Sequence, residues 1–82
     1  MRYGAESRLS VDELLGRARS FFGPGGELGL TETPGINRQE IQFVAPDGGV
    51  SVSAQRDGSR TEITILSREY DHWVERFLRE KL

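Results

Sequence analysis

Cysteine is absent from these 82 residues, and histidine and lysine each occur once. Without cysteine there are no disulfide staples and no thiolate metal sites. A single histidine supplies neither a metal-binding pair nor an imidazole relay. No apolar run approaches the roughly 18 residues that a membrane span needs. The opening stretch Met1-Arg2-Tyr3-Gly4-Ala5-Glu6 lacks the apolar segment and cleavage pattern of a secretory signal. Together these absences lead us to expect a cytoplasmic protein with no membrane segment. Net charge is −2 and the pI is near 5.4, a balance with no general attraction for nucleic acid or anionic lipid. With Lys81 the only lysine, ten of the eleven basic residues are arginine, the side chain that pairs bidentately with carboxylates and phosphates.

What is present fits one small globular domain spanning 1–82. A hydrophobic share of 35% against 29% charged residues is ordinary for a folded chain rather than a disordered one. A core of this size is marginal, because a domain of about 60 residues buries only about 60% of the surface its unfolded chain exposes. Small domains close that gap with disulfides, metals or a second subunit. The first is excluded and the second has no ligand set, which leaves self-association.

Residues 1–9 carry no periodicity and read as a loosely ordered lead-in. Ser10-Val11-Asp12-Glu13 is a capping box, with Ser10 and Glu13 satisfying each other's backbone N–H. Val11, Leu14, Leu15, Ala18, Phe21 and Phe22 then recur at helical spacing, and Gly23-Pro24-Gly25-Gly26 ends the helix. Residues 28–33 alternate weakly, so their status as a strand is open. Ile41, Phe43 and Ala45 alternate with polar neighbours, as do Val50, Val52 and Ala54 after the turn Pro46-Asp47-Gly48-Gly49. Asp57-Gly58 marks a tight hairpin into Thr61–Leu66, with Ile63 and Ile65 inward. Ser67 is the expected N-cap of a last helix, whose stripe is Tyr70, Trp73, Val74, Phe77, Leu78 and Leu82. The predicted fold class is α+β, in the order α-β-β-β-β-α. A three- or four-stranded antiparallel meander should carry both helices on its one apolar face.

Catalytic chemistry finds no foothold in this pattern. The glycine-rich stretch 23–26 follows a helix instead of opening one and lacks Lys-Ser or Lys-Thr, so it is a helix stop and not a phosphate loop. Asp71 and His72 are sequence neighbours and point apart on a helix. The serines sit in no nucleophile-elbow pattern. Trp73, Tyr70 and Phe77 lie at core spacing, with a small-ligand pocket between helix and sheet as the alternative. No cofactor motif occurs.

Two surface features stand out. Antiparallel connectivity brings the 34–38 loop and the 56–60 hairpin to one end of the sheet, gathering Arg38, Arg56 and Arg60. Three arginines there suit an anion or acidic partner, or local pairing with Glu40, Asp57 and Glu62. The outer sheet face carries Gln42, Val44, Ser51, Ser53, Gln55, Thr64 and Thr31. It has no lysine, a residue that commonly guards exposed strands against pairing, so it reads either as a solvated face or as a protein interface.

With 28–33 discounted, the helix–strand–strand–strand–helix order resembles the double-stranded-RNA-binding domain in topology and length. That family implies a basic start to the last helix and a Gly-Pro-x-His loop between the first two strands. Here the corresponding stretches are Ser67-Arg68-Glu69-Tyr70-Asp71 and Pro46-Asp47-Gly48-Gly49, so no RNA-reading residue carries over. The expected function is a small non-catalytic protein-interaction module that forms a homodimer. A nucleic-acid-associated domain and a small-ligand carrier are the alternatives.

Overall fold

The structure is a computed structural model that describes residues 1–35 and 39–82. Its elements are β1 (Arg2–Ser7), α1 (Val11–Phe22), β2 (Thr31–Pro34), β3 (Glu40–Ala45), β4 (Gly48–Asp57), β5 (Arg60–Arg68) and α2 (Asp71–Glu80). One antiparallel sheet holds all five strands in the order β1-β5-β4-β3-β2. The α+β expectation holds, and of the open segment 28–33 only the second half is strand, in β2 at Thr31–Pro34. Residues 1–9 are not a loose lead-in. Arg2–Ser7 pairs with β5 from Arg2↔Leu66 to Ser7↔Thr61, making a fifth strand. Its inner positions are Tyr3, Ala5 and Ser7, too mixed in polarity to read as an apolar row. The ladder that makes it a strand comes from a partner some sixty residues away, so no local window shows it.

Local chemistry sets the limits of α1. Ser10 Oγ accepts from Glu13 N at 3.1 Å, and Glu13 Oε1 accepts from Ser10 N at 3.4 Å, so the capping box forms. At the other end Gly23 N–H donates to Arg19 O at 2.9 Å. A Cβ at Gly23 would lie 2.7 Å from that same oxygen, so the stop needs glycine.

The start of α2 differs from expectation. Ser67 is not its N-cap: it lies in β5, paired with Val50 and buried, while Tyr70 takes the N-cap position with no side-chain capping hydrogen bond. The chain leaves the sheet later than the apolar pattern indicates because it turns through Glu69, whose φ of 71° is left-handed. Gly48 makes room for this turn. A Cβ there would sit 2.1 Å from Arg68 O.

Alternation along β3, β4 and β5 places Ile41, Phe43, Val50, Val52, Ala54, Ile63 and Ile65 on one face, all buried. Both helices cover that face with Leu14, Leu15, Ala18, Phe21, Phe22, Val74 and Phe77 in one continuous core. Phe22 is its centre, with ring centroids 4.9 Å from Phe21, 5.6 Å from Phe43 and 5.1 Å from Phe77. Such contacts hold α1 to β3 and to α2 at a single point. Thr61 joins the same layer and donates its hydroxyl to Leu9 O at 2.7 Å, anchoring the link from β1 to α1. The two tight hairpins are as short as the turn residues imply: Ala45↔Gly48 closes around Pro46-Asp47, and Asp57↔Arg60 around Gly58-Ser59, with Gly58 at φ 63°.

Two stability changes follow. Phe22→Ala should cost about 3–5 kcal/mol in denaturant unfolding, because the ring is fully buried and three aromatic neighbours cannot all close on the void. Glu69→Gly should stabilise by about 1 kcal/mol, since glycine adopts the left-handed conformation without the Cβ penalty.

Candidate interaction surface

Because both helices lie on the inner face, no element of the described residues covers the other face of the sheet. Its side chains stand in rows set by the register. Gln42, Ser51, Leu66 and Arg2 form one row, and Val44, Gly49 and Arg68 the next toward the Pro46-Asp47 turn. In the opposite direction follow Glu40, Ser53, Thr64 and Gly4, then Gln55, Glu62 and Glu6. The predicted face residues Gln42, Val44, Ser51, Ser53, Gln55 and Thr64 all lie on this surface, with Thr31 beside Val44 on β2.

The two ends of the face differ in chemistry. Near the 46–47 turn, a hollow of about 450 Å³ is lined by Met1, Arg2, Val44, Gly49, Leu66 and Arg68, among others. Met1, Val44 and Leu66 are 73%, 45% and 52% exposed and are the large apolar side chains most open to solvent among the described residues. All three lie in this one hollow. Gly49, which has no side chain, forms its floor, and a Cβ there would approach Phe43 O to 2.7 Å. Arg2 and Arg68 flank the patch, and among the described residues neither pairs with a carboxylate.

The far end is acidic. Glu6 and Glu62 stand directly opposite each other on β1 and β5, a like-charge pairing that disfavours the ladder. Neither meets a cation among the described residues. The Glu62 carboxyl titrates above its ordinary range, first through a hydrogen bond with Asp57 and then through the charges of Asp57 and Glu6. Closer to the middle, Glu40 Oε1 accepts from Ser51 Oγ at 3.3 Å and from Gln42 Nε2 at 3.5 Å.

Of the arginine group expected at this end, Arg56 and Arg60 do not converge. Arg38 lies outside the described residues. Arg56 follows Ala54 in alternation, toward the helix side, and its Nε donates to Gly58 O at 2.9 Å. Arg60 follows Glu62 in alternation, on the outer side, opposite Asp57. The hairpin thus sends the two arginines to opposite faces.

Sequence reasoning missed Leu66, Arg68 and Arg2 as surface residues. For Leu66 and Arg68 a signal was available, since inward Ile63 and Ile65 leave the even-numbered positions facing out. For Arg2 there was none, because its strand was not legible.

Other titratable positions are scattered. Tyr3 reaches from β1 to α2, its hydroxyl donating to Glu75 Oε2 at 3.4 Å. Partial burial, followed by the neighbouring carboxylates Asp71 and Glu75, pushes its phenol up to about 12. Tyr70 is also raised, by burial and then by its hydrogen bond to Asp47 Oδ1 at 3.0 Å. His72 is exposed and packs edge-on to Trp73. A second hollow lies between α1 and the chain's end, lined by Glu13, Gly16, Arg17, Ser20, Phe21, Glu27 and Lys81. None of Tyr70, Trp73 and Phe77 lines any of these hollows. Among the described residues no group of three or more His, Asp or Glu could hold a metal ion, and no helix is long and apolar enough to cross a membrane.

No family model matches the chain, and neither a curated protein nor a solved structure matches it.

The Tyr3 environment has a measurable consequence. A raised phenol holds its proton in the fold after the unfolded chain, at about 10, has lost it, so its stabilising contribution is complete below pH 10. That contribution should fade as pH rises toward 12. Ultraviolet titration should show one tyrosine ionising near 12, and Asp71→Asn should lower its pKa.

Proposed function

We propose that the chain is a non-catalytic protein-interaction module that binds a second copy of itself through the side of the sheet where β1 meets the outer face. The observation that carries this reading is the gathering of Met1, Val44 and Leu66 in one hollow, bordered by two arginines without carboxylate partners among the described residues. Apolar side chains scattered singly over a surface need no explanation, whereas a cluster rimmed by polar groups marks a contact site. The marginal core and the lack of cysteine point the same way, since a partner subunit supplies the buried area that staples would otherwise replace. A cytoplasmic setting fits the absence of cysteine.

Catalysis requires an acid, base or nucleophile positioned in a cleft. The perturbed groups Tyr3, Glu62 and Tyr70 share no hollow with one another. Nucleic-acid binding would draw on a basic stripe, and the arginines of the hairpin diverge instead. A ligand site between α2 and the sheet would need a hollow there, and Val74 and Phe77 close that space.

Sedimentation velocity across a wide concentration range tests the reading. The wild-type chain should pass from monomer to dimer, and Leu66→Glu should weaken association by about tenfold or more, equivalent to ~1.4 kcal/mol. Its circular dichroism and unfolding midpoint should stay near wild type, since Leu66 lies outside the core. A chain that is strictly monomeric at the highest attainable concentration would overturn the proposal.

A further inference from the structure

We infer that the dimer forms by antiparallel pairing of β1 with β1 of a second copy, about a two-fold axis at Gly4 that sets Arg2 of each chain opposite Glu6 of the other. This rests on the self-association reading above and puts the contact at the sheet edge beside the hollow, where Arg2 takes part, while Leu66 on β5 and Val44 on β3 stay outside the strand pair.

The two edges of the sheet are not equivalent. β2 has only four residues and ends in Pro34, both of which blunt an edge against further pairing. β1 has six residues, with no proline, no lysine and no residue at positive φ. Its outer residues Arg2, Gly4 and Glu6 are all exposed.

The hydrogen-bond phase of β1 follows from its neighbour. Ser67 N donates to Met1 O at 2.8 Å, so the residues that bond to β5 are Met1 and, by alternation, Tyr3, Ala5 and Ser7. The N–H and C=O groups of Arg2, Gly4 and Glu6 therefore point away from the sheet into solvent. Only even-numbered residues can join a further strand, and the pairing that uses all three is Arg2 with Glu6 of the partner subunit, Gly4 with its own counterpart, and Glu6 with the partner's Arg2. Every outward backbone group of the strand is then satisfied.

Charge selects the same register. Among the described residues Arg2 pairs with no carboxylate, and Glu6 faces Glu62 and pairs with no cation. Two-fold pairing carries the row Gln42, Ser51, Leu66 and Arg2 of one copy directly into the acidic row Glu6, Glu62 and Gln55 of the other. Opposite charges facing each other across a pair of strands favour it, and the like-charge pair within each chain gains a guanidinium. Gly4 fits this arrangement. It has negative or extended φ, and a Cβ there would meet nothing within 4 Å, so the monomer has no use for a glycine that costs about 0.5–1 kcal/mol in a strand. On the axis it leaves room for the two arginine–glutamate pairs to lie across the centre. One strand pair is a small interface, below the roughly 1,200 Å² of a standard one, so the dimer is concentration-dependent and not obligate.

Sedimentation equilibrium of the whole chain at low salt tests the register. Arg2→Glu and Glu6→Arg should each weaken dimerisation by about tenfold or more, because each puts like charges opposite one another across the axis. The double variant Arg2→Glu/Glu6→Arg should recover wild-type association to within a few-fold. Glu6→Arg also removes the repulsion with Glu62, so in dilute solution it should unfold no more easily than wild type; a folding defect is thereby separated from lost pairing. Gly4→Pro removes an N–H that faces solvent in the monomer, and should abolish the dimer while keeping the monomer's circular dichroism. If the chain dimerises but single reversals have no effect, or the double variant is weaker than either, the β1 pairing is wrong while self-association stands. A wild-type chain that never dimerises overturns both.

Discussion

The packing of Phe22 against Phe43 and Phe77 is the contact on which the rest of the architecture depends. It joins the end of α1, the middle of β3 and the second half of α2 in one place. All four phenylalanines of the chain are buried, and Phe21 and Phe22 are adjacent in sequence, so one turn of helix supplies half of them. A chain this short has few large apolar side chains to spend, and here they concentrate on one layer between helices and sheet. The direct consequence is that the second face of the sheet gets no helix.

That uncovered face is where the proposed self-recognition would draw its residues, and its pattern is dictated by register. The long-range pairing of β1 with β5, which no hairpin joins, brings Leu66 beside Arg2 and Glu62 beside Glu6. A shift of one residue in β1 would turn Arg2 and Glu6 toward the helices and send Tyr3 out, since side chains alternate between faces. The polarised surface, apolar and basic at one end and acidic at the other, is thus a product of pairing and not of any contiguous motif. The edges follow the same logic: one is short and closed by proline, the other longer, with no proline and with opposite charges at Arg2 and Glu6.

The junction between β5 and α2 links the core to this surface. By turning through Glu69 in a left-handed conformation against Gly48, the chain prolongs β5 as far as Arg68. An earlier exit at Ser67 would remove Arg68 from the sheet and with it one flank of the apolar hollow. Non-glycine residues rarely hold this conformation, which costs of order 1–3 kcal/mol and persists where the surroundings enforce it. Here the surroundings are the β4–β5 ladder on one side and the Tyr70–Asp47 hydrogen bond on the other.

Much of the fold was determined locally and could be read from the chain alone. The Ser10–Glu13 box and Gly23 delimit α1, alternation defines β3, β4 and β5, and Asp57-Gly58 closes their hairpin, because capping bonds, side-chain period and backbone sterics act over a few residues. Cysteine's absence and the lone histidine likewise excluded whole classes of chemistry without reference to structure. Tertiary structure alone decided the rest. Tyr3, Ala5 and Ser7 become the inner row of a strand only when β5 arrives to bond them, and Ser67 stays in the sheet because Gly48 admits the turn after it. Arg56 and Arg60 part company because the two-residue turn pairs Asp57 with Arg60, which sets residues of the same parity on the two strands on opposite faces. The outer surface and its open edge belong to this second kind, since long-range pairing, which no stretch of sequence contains, sets which side chains become neighbours.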